Sequence, residues 1–433
     1  MSPPPHVLPA GVFGALARGE GGAEGVRLLA AAERSKHLLL VRSVAESFRD
    51  DGQGGTRAAE AYALLADLCA AVPAAAEEVL SYPSVGLWAL TTLRAMRSGD
   101  HDRIRPERLA ALALTVAARA GTDLAATVRT EHGGLGFPSL GGLRLSGAGD
   151  RAPLKVRVRD GHLELDEGRW VRLVPGHLGW RPVRRLRLGP PGGLWEICLD
   201  DVDAYSFPPH PCPRFVLHPP EVQAWRRSLQ ESAEVLSARH PAAAEEVREV
   251  VRVLTPVLAS GDSHASASAQ AAFGSVAMSR PVGGTHTAVM LVHEAQHQKL
   301  NALMTMFDLV RPLPDDQNDQ YYAPWRSDPR PFIGLFHGAY AHLGVTSFWR
   351  AEWLHGTGGV PAAALYARWR DVTLEAVDRS LGTGRFTRLG RSFAEEMLRV
   401  LDGWRDERVP ADAREWALRE ARRHRAHYAA RNR

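Results

Sequence analysis

The chain has 433 residues, of which 45% are hydrophobic and 24% charged, proportions that exclude a wholly disordered chain and leave room for a sizeable core. Its 53 Lys and Arg against 49 Asp and Glu leave a net charge of +4, a small excess for a chain this long. The most apolar stretches, such as 38–41 and 288–292, fall far short of the ~20 residues that a membrane-spanning helix needs. The opening Met1-Ser2-Pro3-Pro4-Pro5 has neither a basic nor an apolar region of the signal-peptide kind, so a cytoplasmic location is expected. Cys69, Cys198 and Cys212 are few, scattered and odd in number, which argues for reduced packing residues rather than a disulfide framework or a thiolate metal site.

At roughly 100–200 residues per domain, the length allows two to four domains or one large fold with an insertion. From 16 to 130, Ala and Leu dominate and apolar residues recur at three and four, which predicts helices separated at Gly19-Glu-Gly-Gly and at Asp50-Asp-Gly-Gln-Gly-Gly. Ala61, Leu64, Leu65, Leu68 and Val72 form one packing stripe. The grammar then changes to Gly-rich turns and alternation. Over 154–165 the alternating residues flank Asp160-Gly161, a hairpin signal. Strand character continues near Trp170 and Trp195. Helical periodicity resumes at Pro220 and runs to about 258, followed by a Ser/Ala/Gly loop over 260–270 and a short apolar strand over 273–278. Gly283-Gly284 opens a helix over 285–309, and three or four more helices follow a polar loop. The expected fold is α+β, mainly α, with a β-rich insert. Its parts are an N-terminal helical region (1–130), the insert (131–215) and a second helical region (216–433).

The basic excess is local. One cluster is Arg181, Arg184, Arg185 and Arg187; the other is the tail Arg414, Arg419, Arg422, Arg423, His424, Arg425, Arg431 and Arg433. Neither carries a groove-reading or base-stacking motif, so nucleic acid is not expected as a partner, and a solvated face or an acidic partner is.

The chemistry-bearing motif is His293-Glu294-Ala295-Gln296-His297, an HExxH pattern. Residues four apart share a helical face, so both imidazoles can reach one metal ion without a loop folding around it. The flanking runs at 288–292 and 300–304 continue a largely apolar helix, where two histidines and a glutamate would be costly unless they bind something. A strand just upstream fits the zincin arrangement, in which the site helix lies beneath an edge strand, so a zincin-like helical catalytic unit over 216–433 is expected beside the β-rich insert. The alternative is that His293 and His297 are hydrogen-bonded core histidines. His286 falls on roughly the same face, more as a first-turn residue than as a ligand.

A third ligand is expected in the small-residue helix that follows. His337 is preferred, because Gly338 beside it would leave room for a metal or ligand; His342 and Glu352 are the alternatives. No metzincin extension follows His297. With zinc, Glu294 would be the base for a bound water. A three-ligand face with open positions equally suits Fe(II) with a chelating 2-oxo acid and O2, and the distal carboxylate of 2-oxoglutarate then needs a cation, ideally a bidentate arginine. Arg350 is preferred for that role, ahead of Arg326 and Arg330.

Leu291-Val-His-Glu-Ala-Gln-His-Gln-Lys-Leu-Asn-Ala-Leu, Tyr322-Ala-Pro-Trp-Arg with Asp328-Pro-Arg-Pro, and Leu335-Phe-His-Gly-Ala-Tyr with Phe348-Trp-Arg resemble the bacterial HEXXH-motif domain family of gene clusters for ribosomally made, modified peptides. The likeness is densest over 270–352 and extends more weakly through Gly19-Glu-Gly-Gly and Leu28-Leu-Ala-Ala-Ala-Glu-Arg-Ser. It implies an Fe(II)- and 2-oxoglutarate-dependent dioxygenase that hydroxylates a side-chain Cβ of a precursor peptide, with His293 and His297 as iron ligands. The strand at 273–278 would hold the extended peptide by strand addition, and the insert would bind its leader portion. Two other functions stay open: a zinc metallopeptidase using Glu294 as general base, and a non-catalytic peptide-binding protein.

Overall fold

A computed structural model describes residues 5–48, 52–131, 133–147, 149–191, 193–209, 216–259, 264–312 and 319–432. Cys212, Arg433, Met1 to Pro4 and parts of the 50–55 and 260–270 loops lie outside them. The fold is α+β, 58% helical with several small sheets, which agrees with a mainly α chain. Among the described residues no helix is long and apolar enough to cross a membrane.

Among the described residues six α-helices lead: α1 (Ala10–Ala17), α2 (Gly22–Ser47), α3 (Gly52–Ala71), α4 (Pro73–Leu80), α5 (Pro83–Ser98) and α6 (Arg108–Ala120). Pro73 and Pro83 stand at first helical positions, where a missing N–H costs nothing. The stripe expected on α3 packs as read, with Ala61 and Leu65 buried and Leu64, Leu68 and Val72 against the same core. Nine strands follow: β1 (Leu124–Arg129), β2 (Gly134–Phe137), β3 (Gly141–Arg144), β4 (Pro153–Arg159), β5 (His162–Leu165), β6 (Arg169–Arg172), β7 (Trp180–Pro182), β8 (Arg184–Leu188) and β9 (Trp195–Leu199). Then come α7 (Pro219–Arg239), α8 (Pro241–Val250), β10 (Val253–Pro256), β11 (Ser266–Ser268), β12 (Ser275–Met278), α9 (Gly284–Met306), β13 (Gln320–Tyr321), β14 (Arg330–Pro331), α10 (Phe332–Leu354), α11 (Gly359–Gly382), α12 (Arg388–Gly403) and α13 (Ala411–Arg431).

The β4–β5 hairpin turns at Asp160-Gly161 with φ of 47° and 72°, the doubly positive geometry that two-residue hairpins favour. Sheet topology cuts across the expected region boundaries. β1, which precedes 131, pairs with β4 in an antiparallel sheet of order β1-β4-β5-β6. β8 and β9 leave the insert to join a mixed sheet of order β11-β12-β10-β9-β8, in which β9, β10 and β12 run parallel. The reason is packing: Leu186, Leu188, Trp195, Ile197 and Leu199 share one core with Trp225, Leu229 and Leu236 of α7 and Leu291 and Ala295 of α9. The helix expected from 220 to 258 also divides. Pro241 ends one helix and starts another, and 253–256 is a central strand buried on both faces, where an unbroken apolar run mimics a helix pattern.

The strand expected at 273–278 exists as β12, but it is flanked on both sides by β11 and β10. Its backbone is therefore already paired, and the open edge beside α9 belongs to β11. Members of both basic clusters are met by acids. Arg184 and Arg181 pair with Asp201, Arg187 with Glu196, and Arg185 with Glu78 and Glu196. On α13, Arg419, Arg423 and Arg425 pair with Glu415, Glu420 and Glu375. Cys69 and Cys198 are free thiols; burial pushes the Cys198 thiol up to about 11, which leaves it unreactive.

A buried polar cluster fixes the helices around α9. Lys299, 1% exposed, donates to Glu246 of α8 at 2.6 Å and to the carbonyls of Gly19 (3.0 Å) and Glu20 (3.2 Å) in the α1–α2 turn. Glu246 in turn accepts from the Gly22 N–H at 3.0 Å. Elsewhere Asp200, fully buried, accepts from Tyr82 Oη at 2.8 Å and from the N–H groups of Val202 and Asp203 at 2.9 Å. Burial, then the neighbouring Asp203 charge, pushes its carboxyl up to about 6.

Lys299→Ala strands a buried carboxylate and is expected to cost about 3–5 kcal/mol, measured by urea unfolding, with most of the loss recovered in Lys299→Met combined with Glu246→Gln; a loss below about 1 kcal/mol would contradict the assignment. For Asp200 the folded pKa lies above the unfolded one, so its contribution is complete below about pH 4 and is lost as pH rises through about 6. The melting temperature of Asp200→Asn relative to the native protein should therefore rise between pH 4 and pH 7.5, and a flat difference would refute the shift.

Candidate metal centre

α9 is buried around most of its circumference, between α7, α8, α2 and α10, which is why its sequence lacks a strong polar face. Gly284 lets its start lie against the backbone of Glu231, where a Cβ would meet atoms at 2.8–3.1 Å. On this helix the Nε2 atoms of His293 and His297 stand 3.1 Å apart. That is also roughly the spacing of two neighbouring ligands with metal–nitrogen bonds of about 2.0–2.1 Å.

α10 supplies the other two imidazoles. The His342 ring lies 5.0 Å, centroid to centroid, from His293, and the His337 ring 5.9 Å from His297. Although five residues apart, both reach the pair, one at each end, because the close approach of α10 lets it flank the motif. That approach depends on small residues, as expected: Gly344 abuts the Gln296 side chain, where a Cβ would sit 2.7 Å from Cγ. The space at Gly338 is not open to a ligand, however. The indole of Trp325 fills it, 2.3 Å from where a Cβ would be, and stacks on His342 at 4.5 Å. Trp369 of α11 also packs on His342, its ring 4.6 Å away.

His342 Nδ1 donates to the Gly338 carbonyl at 2.8 Å. A carbonyl can only accept, so the tautomer is fixed and Nε2 keeps its lone pair, the arrangement in which a second hydrogen bond orients a metal-binding imidazole. Burial pushes the pKa of all four imidazoles down. His337 falls to about 4; His297 and His342 fall well below the usual range, with neighbouring imidazoles adding to the burial effect; for His293, Glu294 opposes the burial effect. Neutral rings are the form that ligates.

Glu294 is 2% exposed. Its Oε1 accepts from Ser266 Oγ at 2.7 Å, and its Oε2 is buried without a hydrogen-bond partner. A buried carboxylate oxygen without a partner, on the residue that follows His293 in the motif and bears on its charge, matches a site built to face a cation or a proton. The donor chemistry thus fits a divalent ion at the His293–His297 pair. Among the described residues, no three His, Cys, Asp or Glu side chains are placed together as a complete ligand set; the pair is formed, and His337 and His342 flank it.

The remaining expected residues stand elsewhere. Glu352 accepts from Arg239 and His240, both at 2.7 Å, and from Thr357 at 2.9 Å. Arg350 is held by Glu407, its Nε 2.9 and 3.0 Å from the two carboxylate oxygens. Arg326 and Arg330 both pair with Asp328. His286 lies in the first turn of α9, its ring 4.8 Å from that of His264. Sequence reading passed over Ser266 and Trp369. Neither carries a local signal, because each is brought to the site by an element distant in sequence. Trp325 was within a quoted motif, but its role on His342 depends on the glycine it covers. No family model matches the chain, and no curated protein matches it.

Gly338→Ala should force Trp325 off His342 and cost about 1–3 kcal/mol by overpacking. Near-UV circular dichroism is expected to lose tryptophan intensity while the far-UV spectrum is kept; an unchanged near-UV spectrum would contradict this packing.

Proposed function

We propose that the protein is an Fe(II)- and 2-oxoglutarate-dependent dioxygenase that hydroxylates a side-chain Cβ of a ribosomally made precursor peptide, on a zincin-like helical catalytic unit. The observation that carries the reading is the gathering of four neutral imidazoles from α9 and α10, with the Glu294 carboxylate of the same motif buried and one of its oxygens without a partner. Support also comes from where the resembling stretches lie. The HExxH run, Trp325 of the 322–330 stretch, and His337 and Gly338 of the 335–340 stretch all meet at this one spot.

His293 and His297 would hold the iron, with His337 or His342 as third donor. Bound there with 2-oxoglutarate and O2, the iron supplies the oxidation that converts a peptide C–H to C–OH while 2-oxoglutarate becomes succinate and CO2. The chain's own residues do the rest. Trp325 and Trp369 exclude water from one side of His342, and Gly338 O fixes its tautomer. Ser266 holds one oxygen of Glu294, and the other is left buried without a partner. An extended peptide would add to the outer edge of β11, the strand that carries Ser266, with backbone hydrogen bonds giving affinity. A groove of about 760 Å³ between α3 and the β1–β4 sheet, lined by Arg57, Glu60, Lys155 and Arg157, would take the leader portion.

The orphan Oε2 of Glu294 favours one second reading, a zinc metallopeptidase with Glu294 as general base. Incubation with a precursor peptide encoded nearby separates the two. The dioxygenase reading expects a product heavier by one oxygen atom and matching succinate, only with Fe(II), 2-oxoglutarate and O2, and partial activity in Glu294→Gln. Cleaved peptide, abolished by Glu294→Gln and independent of 2-oxoglutarate, would establish the peptidase instead.

A further inference from the structure

The sheet of order β1-β4-β5-β6 buries one face and leaves the other open. Val156, Val158, Leu163, Leu165 and Val171 point into the core shared with α3 and α6, so the residues between them face outward. On β4 those are Lys155, Arg157 and Arg159, three exposed cations spaced about 7 Å apart along one strand. The ladder carries the row sideways: Arg159 lies opposite His162, and His162 opposite the exposed Arg172. This row holds no carboxylate, although an acid set across the ladder would have stabilised the sheet. The basic clusters at 181–187 and on α13 have members held by acids. Here, among the described residues, no side chain pairs with Lys155, Arg157 or Arg172, and Arg159 reaches Asp123 and Asp160 only at 3.8 and 3.7 Å. On the same face Trp170 is 42% exposed, its ring 6.3 Å from that of His162.

We propose that this face docks an acidic, extended peptide segment, with carboxylates at alternate positions set along β4 and an apolar side chain laid on Trp170. The spacing of the β4 cations is that of side chains two apart on one side of an extended chain. Lys and Arg meet carboxylates in charge-assisted hydrogen bonds, and Trp170 supplies apolar area now left in water. The groove of about 760 Å³ opens on this face, with Lys155 and Arg157 in its wall, so one segment can occupy both. Glu60, Glu164 and Asp166 line the same groove and would repel an unbroken chain of phosphates, and one tryptophan gives no row of rings on which bases could stack. A peptide is therefore favoured over nucleic acid. The inference rests on the peptide-substrate reading and names the chemistry of the segment that the groove takes; none of the histidines is involved.

The test is fluorescence anisotropy on the full chain with labelled oligoglutamate, oligolysine and oligothymidylate of equal length, beside the precursor peptide encoded nearby. Native protein should bind oligoglutamate, less tightly as salt is raised, and should not bind oligolysine. Combining Lys155→Glu, Arg157→Glu and Arg172→Glu, all at exposed positions, should weaken binding of oligoglutamate and of the precursor about 10- to 100-fold. Arg187→Glu, from the pair with Glu196, should leave both unchanged, and Trp170→Ala should weaken the precursor alone. Far-UV spectra and melting temperatures confirm that each variant is folded. Native affinity in the folded triple variant overturns the assignment, and so does an equal loss in Arg187→Glu. Oligothymidylate bound more tightly than oligoglutamate through the same three residues would give the face to nucleic acid and refute the peptide site. A precursor hydroxylated with native KM by the triple variant refutes the docking face and leaves the dioxygenase reading standing. A precursor held through this face but never modified does the reverse.

Discussion

The ammonium of Lys299 is where separate parts of the chain are tied to the site helix. It binds Glu246 of α8 and the carbonyls of Gly19 and Glu20, while Gln296 donates to the same Gly19 carbonyl at 2.8 Å. Burial favours the neutral amine, and Glu246 opposes it. A buried charge of this kind adds little net stability but makes alternatives expensive. It accounts for Gly19-Glu-Gly-Gly, whose glycines at 19, 21 and 22 take positive φ to turn carbonyls inward. Two residues before Lys299 on the same helix is His297, so the device that fixes α9 in the core also fixes the motif.

Around that anchor the site is an exercise in close approach. α10 comes near α9 because Gly344 yields to Gln296, and Trp325 reaches His342 because Gly338 has no side chain. The result is four imidazoles packed against one another and their helices, His342 buried and the other three half-buried. Low pKa values follow from burial rather than from any one charge, and neutral nitrogen donors are left at the pair. The edge strand β11 contributes through Ser266 to Glu294, which links the face where a peptide would lie to the carboxylate beside the histidines.

What the sequence made legible was local. The HExxH helix, read as 285–309, is Gly284–Met306; the Asp160-Gly161 hairpin and the small-residue helix carrying His337 and His342 also stand where their patterns put them. What it hid depends on partners far along the chain. β10 is an apolar run with no period to distinguish strand from helix. β12 looked like a free edge because β11, three residues of Ser and Ala, carries almost no strand signal. Arg350 stands beside a tryptophan in the sequence; Glu407, 57 residues beyond it, occupies that arginine, and no local pattern announces this.

The central claim is that His293 and His297 form a metal site rather than a hydrogen-bonded core pair. Its most direct test is an anaerobic Co(II) titration of the native protein and of His293→Ala with His297→Ala, read by visible absorption and by metal content after gel filtration. The account predicts one ion per chain with nitrogen-ligand bands in the native protein and none in the double variant. Stoichiometric binding that survives loss of both histidines, or no binding by the folded native protein, would contradict it.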